Sequence, residues 1–93
     1  MGVVIHSHAK IGENCTISQQ VIIGGRSKIP NVPVIGNHVY IGVGARILGD
    51  ITIGDECVIG ANAVVTHNVE TGSVVVGVPA RIIRTGIKME DYV

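Results

Sequence analysis

Large aromatic side chains are almost absent from this chain of 93 residues. It has no Phe and no Trp, and only two Tyr, although 46% of its residues are apolar. A core without large rings must be filled by small or branched aliphatic side chains, so we expect a narrow interior. A chain of this length is long enough for one domain but buries only about 60–65% of its unfolded surface. We therefore expect the fold to need additional stabilisation.

The chain also lacks a net charge and any long apolar run. Seven basic residues balance seven acidic ones, so no general electrostatic attraction to nucleic acid or anionic lipid is expected. No apolar run approaches the roughly 20 residues of a membrane span, and the N-terminus MGVVIHSHAK lacks the ordered parts of a secretory signal. These absences predict a cytoplasmic protein that binds neither nucleic acid nor a membrane.

Cysteine is scarce as well. Cys15 and Cys57 do not have the close spacing of a metal site, and both fall in an inward phase of the repeat described next. We therefore interpret them as small, reduced core residues rather than as nucleophiles, and we predict no metal ion.

What the chain does contain is a six-residue repeat. Every sixth residue from Ile5 to Val65 is aliphatic, and the residue two positions earlier is mostly small or aliphatic. Glycine, which tolerates sharp backbone turns, directly follows the aliphatic position at residues 12, 24, 36, 42, 54 and 60.

A six-residue period with inward positions two apart fits short β-strands, because alternate strand residues share a face. A helix would spread positions six apart around its circumference, so the pattern does not fit one. Short fixed periods are typical of solenoids, in which each unit buries its apolar face against its neighbours. Three repeats per turn predict a triangular prism of about 18 residues per coil.

Two segments interrupt the repeat. Pro30 and Pro33 are poorly suited to an interior strand, so we place an external loop at about residues 24–33. The period also fails after Val69, and we predict a β-helix over residues 1–83 followed by a C-terminal tail over residues 84–93. At the other end Val3 is already in register without a polar cover, which predicts a fragment, a shortened relative or a chain covered by a partner.

Three motifs carry a family resemblance: GG at 24–25 before the loop, IGVGA at 41–45 followed by RILG, and GVPAR at 77–81. Over about residues 2–83 the chain resembles the C-terminal catalytic half of bacterial serine O-acetyltransferases and their short relatives. The resemblance implies a left-handed parallel β-helix, an exception to the right-handed crossover rule. It also implies a homotrimer that takes acetyl-CoA as co-substrate in a groove between two prisms, in an activity that serves cysteine biosynthesis.

The candidate cofactor residues are small or ring-closed and are spaced by 18, so we expect them to stack on one edge of the prism. They are Gly25, Val43, Ala61 and Pro79, with Gly24 beside the first. Such a row leaves backbone groups accessible to the extended pantetheine arm, although small residues also suit prism corners for structural reasons alone. Three cations are candidates for the cofactor phosphates, unless they are merely solvated: Arg26, Lys28 and Arg81.

The catalytic residue is not assigned. Acetyl transfer to a hydroxyl needs a base, for which histidine is suited, and donors that stabilise the oxyanion. A gap-free match to the family places its catalytic His before Met1 and its paired Asp further upstream, so His6 and His8 are the fallback pair. In the loop, Val32-Pro33 stands where the family has an acceptor-binding His-Pro, which leaves a serine or a sugar hydroxyl open as the acceptor.

Three functions remain in competition. The leading hypothesis is an acetyl-CoA-dependent O-acetyltransferase with direct transfer to the acceptor. The second is a catalytically silent β-helix that binds CoA or assembles with partners. The third, a carbonic anhydrase of the gamma type, needs three histidines that converge on a metal, and the phases of the four histidines do not favour it.

Overall fold

The computed structural model describes residues 2–25 and 32–87. Within these ranges the chain forms twelve short strands and no helix, so they hold no helix that could cross a bilayer. The strands are β1 (Val4–Ile5), β2 (Lys10–Ile11), β3 (Thr16–Ile17), β4 (Ile22–Gly24), β5 (Val34–Ile35), β6 (Tyr40–Ile41), β7 (Arg46–Leu48), β8 (Thr52–Ile53), β9 (Val58–Ile59), β10 (Val64–Val65), β11 (Val74–Val76) and β12 (Arg81–Arg84).

The strands form three sheets, which are the faces of a prism. Face 1 has the order β1-β4-β7-β10, face 2 has β2-β5-β8, and face 3 has β12-β11-β9-β6-β3. From β1 to β10, successive strands therefore visit the three faces in turn, whereas β11 and β12 both lie on face 3. Neighbours within a face are parallel except for β11 and β12. The predicted all-β, left-handed parallel β-helix is confirmed.

The three edges of the prism are the turns between faces. The first edge joins face 1 to face 2 and includes residues 6–9, 25, 32–33 and 49–51. The second edge joins face 2 to face 3 and includes residues 12–15, 36–39 and 54–57. The third edge returns from face 3 to face 1 and includes residues 18–21, 42–45 and 60–63.

The core is a stack of aliphatic side chains along the prism axis. Ile23, Ile47 and Ile59 are among the inward residues with no exposed surface. Each such side chain contributes about 1.5–3 kcal/mol through burial. The first coil differs, since Val3 and Ile5 in the same inward phase are 39% and 40% exposed. A coil at the end of a stack is packed on one side only, so the inward phase predicted for Val3 does not bury it.

The two cysteines follow the inward phase. Cys57 is fully buried and Cys15 is half-buried, and both are free thiols. Each thiol donates to a carbonyl of the adjacent turn, Cys15 Sγ to Gly36 O at 3.1 Å and Cys57 Sγ to Glu70 O at 3.1 Å. Their interpretation as small core residues agrees with these positions.

The coils are not of constant length. Paired residues are 18 apart from Ile5 to Ile23 and from Ile47 to Val65, but 24 apart from Ile23 to Ile47. The six additional residues lie between Gly24 and Val34, within the predicted loop 24–33, of which residues 26–31 lie outside the described ranges. Because six is one whole repeat, the insertion keeps the six-residue phase and changes only the stacking.

The C-terminal end departs from the repeat through a strand reversal. The chain turns after β11, and β12 then pairs antiparallel with β11. The predicted boundary at residue 83 therefore falls inside β12, and Ile87 of the predicted tail is buried, with its N–H donating to Gly72 O at 2.9 Å. The rest of that tail, residues 88–93, lies outside the described ranges.

The second edge is held by a ladder of side-chain acceptors. Asn37 Oδ1 accepts the Glu13 N–H at 2.8 Å, and Asp55 Oδ1 accepts the Asn37 N–H at 2.7 Å. Thr71 Oγ1 continues the ladder by accepting the Asp55 N–H at 3.1 Å. These bonds bring successive turns so close that a Cβ on Gly54 would lie 2.5 Å from the Thr71 backbone nitrogen.

Gly54→Ala is expected to lower the free energy of unfolding by about 1–3 kcal/mol, because its methyl group overlaps the backbone of the next coil. Gly24→Ala is the matched control, since a Cβ there has nothing within 4 Å and should change stability by less than about 1 kcal/mol. Urea denaturation measures both variants, and equal stabilities would contradict the close approach at the second edge.

Candidate functional site

The third edge consists of tight turns stacked on one another. Ala45 N–H donates to Gly42 O, and Ala63 N–H donates to Gly60 O, each at 3.2 Å. The third residue has a positive φ in the type II form of such a turn, and Gly44 adopts 73° and Asn62 adopts 59°. Glycine and asparagine tolerate this conformation better than other residues.

A row of residues follows from this stacking. The Gly44 N–H donates to Gln19 O at 3.1 Å, and the Asn62 N–H donates to Val43 O at 2.8 Å. The pairing of β9 with β11 places Gly77 beside Ala61 in the same way. The row on the third edge is therefore Gln19, Val43, Ala61 and Gly77. We call these four residues the edge row.

The edge row exposes backbone groups that can bind a ligand. Val43 is 40% exposed, and Ala61 and Gly77 are exposed too. Among the described residues, nothing accepts the N–H groups of Val43 and Ala61, and no donor reaches the Ala61 carbonyl. An extended ligand that carries amides can therefore hydrogen-bond along this edge without displacing a protein contact.

The structure corrects the composition of the predicted row. Val43 and Ala61 stack as expected, but the spacing of 24 across the insertion removes Gly25 from their row. Gly24 ends β4 opposite Leu48, so Gly24 and Gly25 lie at the first edge. Pro79 stays near the third edge in the turn after β11, but out of register with Ala61.

The positive charges near the edge row are Arg46 and Arg81. Arg46 projects from face 1, is exposed, and its Nη1 atom donates to Gly44 O at 3.5 Å. Arg81 begins β12 and is exposed. Sequence reasoning missed Arg46, although its outward strand phase two residues after Gly44 was a usable signal. The predicted phosphate ligands Arg26 and Lys28 lie outside the described residues.

The fallback histidines lie on another edge. His6 and His8 are exposed on the first edge in the first coil, with ring centroids 5.5 Å apart in a T-shaped arrangement. The His8 backbone N–H donates to His6 Nδ1 at 3.0 Å. In neutral imidazole this bond assigns the proton to Nε2, so His6 has no free nitrogen to accept a proton. His8 is the better base of the pair.

Face 1 separates these histidines from the edge row. The first edge follows face 1 and the third edge precedes it, so a single chain does not bring His6 or His8 to Val43 and Ala61. The other two histidines are exposed on the second edge (His38) and beside the last coil (His67). Within residues 2–25 and 32–87, no three metal-binding side chains lie close enough to hold an ion; the absence of a metal stays a prediction.

Comparison with known proteins gives matches to a hexapeptide-repeat family model and to solved serine acetyltransferases. The family model "Bacterial transferase hexapeptide (six repeats)" matches residues 33–67. Serine acetyltransferase from Brucella abortus is 38% identical over 95% of this chain and 36% of that chain, at a TM-score of 0.90. The same enzyme in complex with coenzyme A is 40% identical over 91% of this chain and 35% of that chain, at a TM-score of 0.85. Soybean serine acetyltransferase in complex with serine is 42% identical over 89% of this chain and 35% of that chain, at a TM-score of 0.85.

The chain belongs to the hexapeptide-repeat proteins of the serine acetyltransferase type. The resemblance read from its sequence is thereby confirmed. A comparison with curated proteins gave no match. The chain spans about a third of the length of the solved serine acetyltransferases, since it covers 36% and 35% of them.

The buried thiol of Cys57 is the one group in the core with a shifted proton affinity among the described residues. Burial raises the pKa of this thiol above its ordinary value, and the Asp55 carboxylate raises it further, against backbone hydrogen bonds at Ser73 and Gly72. A neutral, buried thiol is a poor nucleophile. Cys57 is therefore unsuited to carry an acetyl group, in agreement with direct transfer.

The free energy of unfolding is expected to fall as the pH rises above about 8.5, the ordinary pKa of a thiol. The unfolded chain releases the Cys57 proton at a lower pH than the native state does, so proton release favours unfolding, by at most about 1.4 kcal/mol per pH unit. Cys57→Ala, which copies the inward Ala63, should remove this slope, whereas Cys15→Ala should keep it. Urea titrations from pH 7 to 10 decide, and an unchanged slope in Cys57→Ala would refute the assignment.

Proposed function

We propose that this chain is the cofactor-binding β-helix of an acetyl-CoA-dependent O-acetyltransferase that acetylates the hydroxyl of serine. The edge row carries the proposal, because it offers open backbone amides of Val43 and Ala61 along one edge of the prism. The similarity to serine acetyltransferases solved with coenzyme A and with serine supports the choice of ligands. A cytoplasmic location stays a prediction.

The pantetheine arm of acetyl-CoA matches the edge row chemically. It is extended and contains two amide groups in series, which suit the N–H groups of Val43 and Ala61 and the carbonyl of Ala61. Arg46 and Arg81 lie at the two sides of this edge, where either guanidinium can bind the cofactor phosphates through charge-assisted hydrogen bonds.

A homotrimer would unite the two edges on which the candidate residues lie. The outward residues of face 1 are largely apolar: Val4, Ile22 and Val64, with Arg46 between them. Packing this face against partners would cover Val4, which is 59% exposed. It would also bring Gly24 and Gly25 of one copy toward the edge row of the next, and form the groove predicted from the sequence.

The reaction requires two proton transfers, one from the serine hydroxyl and one to the leaving thiolate. The serine hydroxyl oxygen attacks the thioester carbonyl carbon while a base takes the hydroxyl proton. Backbone N–H groups can stabilise the resulting oxyanion. Its collapse breaks the C–S bond, and the leaving thiolate takes a proton. His8 of a neighbouring copy is the best base that the described residues offer.

A second candidate is a β-helix that binds CoA without turnover. Two observations favour it: His6 has its Nδ1 atom occupied by a backbone N–H, and neither fallback histidine lies on the edge of the row. The two candidates share the cofactor site and differ in the presence of a base, so they are separable by experiment.

Coenzyme A is expected to bind the purified chain at one site per protomer, as measured by isothermal titration calorimetry. Ala61→Glu should weaken binding at least about tenfold, or about 1.4 kcal/mol, because it places a bulky anion in the edge row. Val64→Asp should dissociate the trimer in sedimentation experiments and weaken binding as well. Thr52→Glu on the outer side of face 2 is the control, and no heat with the unaltered chain would refute the cofactor site.

Incubation with acetyl-CoA and L-serine is expected to release a free thiol, measured with a thiol reagent. His8→Ala should lower kcat by about 100-fold or more if His8 is the base, whereas His38→Ala should leave it unchanged. Binding of CoA without thiol release would favour the second candidate. Turnover with a sugar but not with serine would reassign the acceptor and keep the reaction.

A further inference from the structure

A cavity of about 450 Å³ lies at the C-terminal end of the prism. It is lined by the residues that follow β10 in the last coil, by Val75 of β11 and by the beginning of β12. Small-molecule sites in proteins typically have volumes of about 300–1,000 Å³. The cavity is therefore large enough for a small organic ligand.

The floor of the cavity is apolar. Val65, Val69 and Val75 are inward residues of the last coil, and none of them is more than 5% exposed. Val75 pairs with Ile82 across β11 and β12, and directly opposed residues of paired strands share a face of the sheet. Ile82 therefore forms an apolar wall beside the floor, and it is 51% exposed. A ligand with an apolar body would remove this surface from water.

The rim of the cavity offers hydrogen-bond donors. Asn68 Oδ1 accepts the Thr52 backbone N–H at 2.8 Å. Because a backbone N–H needs an acceptor, this bond fixes the orientation of the carboxamide and leaves its Nδ2 N–H groups to donate elsewhere. Arg81 adds a guanidinium, which can only donate, and His67 lies on the same rim.

These donors select the charge of the ligand. Among the described residues that line the cavity, none is acidic, so the permanent positive charge of Arg81 has no carboxylate beside it in the lining. A ligand carboxylate would form charge-assisted hydrogen bonds there. We propose that the cavity binds a small amphipathic carboxylate, with its apolar body on the valine floor and its carboxylate between Arg81 and Asn68.

The site is separate from the edge row. The valine floor and Asn68 have no part in the proposed cofactor site, and Arg81 is the one residue that both sites could use. Arg46, on the other side of the edge row, would hold the cofactor phosphates while a carboxylate occupies Arg81. The inference therefore does not rest on the proposed function, and its test needs no acetyl-CoA.

A bicyclic carboxylate, 2-naphthylacetate, is a suitable probe for the full chain. Isothermal titration calorimetry is expected to give one site per protomer, with a Kd of about 1 mM or tighter for a ligand of this size. The uncharged isostere 2-naphthylacetamide should bind at least about tenfold more weakly, because it lacks the charge-assisted bonds. Acetate, which lacks the apolar body, should give no measurable binding. In nitrogen-15 NMR spectra, the probe should shift the amide signals of Val69, Ala80 and Ile82.

Two substitutions test the rim. Asn68→Asp keeps an oxygen that accepts the Thr52 N–H but replaces the donor with an anion, so it should weaken probe binding at least about tenfold. Arg81→Gln should weaken binding similarly and abolish the preference for the acid over the amide. Asn14→Asp, at the second edge of the first coil, adds the same charge at the other end of the prism and should leave binding unchanged.

Each of four other results would overturn the inference. They are no binding of 2-naphthylacetate, equal affinities for the acid and the amide, signal shifts that lie outside the cavity, and binding that is insensitive to both rim substitutions. Displacement of the probe by saturating coenzyme A would likewise refute a separate site, because it would make the cavity part of the cofactor site. Failure of coenzyme A to bind would contradict only the proposed function.

Discussion

The width of the prism interior governs the rest of this structure. Strands of two to four residues direct one aliphatic side chain per face toward a common axis, and coils stack at about 4.8 Å. An isoleucine fills that space and packs on its equivalents in the adjoining coils, whereas a phenylalanine would require the walls to separate. The lack of large rings and the six-residue repeat therefore have the same cause.

So narrow an interior leaves the edges as the places for chemistry. Inward side chains pack in the core, and the backbone groups of the strands are hydrogen-bonded to the neighbouring coil. The turns of the third edge, in contrast, keep unpaired backbone N–H groups at Val43 and Ala61. The histidines of the first coil lie beyond face 1, on the first edge. Under the proposed function, assembly is consequently part of the active site, since the surface that joins the copies also joins the edges.

Much of this architecture could be predicted from the sequence, because a side chain must face the core once in every six residues. The stacking of whole coils could not. An insertion of six residues preserves the six-residue phase, so Ile29 continues the aliphatic series in the sequence. The sequence separation between residues stacked in adjoining coils nevertheless grows from 18 to 24 residues. The unbroken phase therefore predicts Gly25 in the row of Val43, whereas the spacing of 24 residues removes it from that row. The bond from the His8 N–H to His6 Nδ1 depends on the local turn, which no spacing reveals.

The same insertion has a consequence for how such proteins diversify. A segment added at the first edge in units of one repeat leaves every later isoleucine in its original orientation, and so leaves the packing of the following coils intact. Sequence at this edge can then be lengthened or exchanged to suit a different acceptor without redesigning the interior or the opposite edge. A spacing that is not a multiple of six also preserves the packing where a turn absorbs the difference, as between Ile59 and Val75, which are 16 residues apart and both buried.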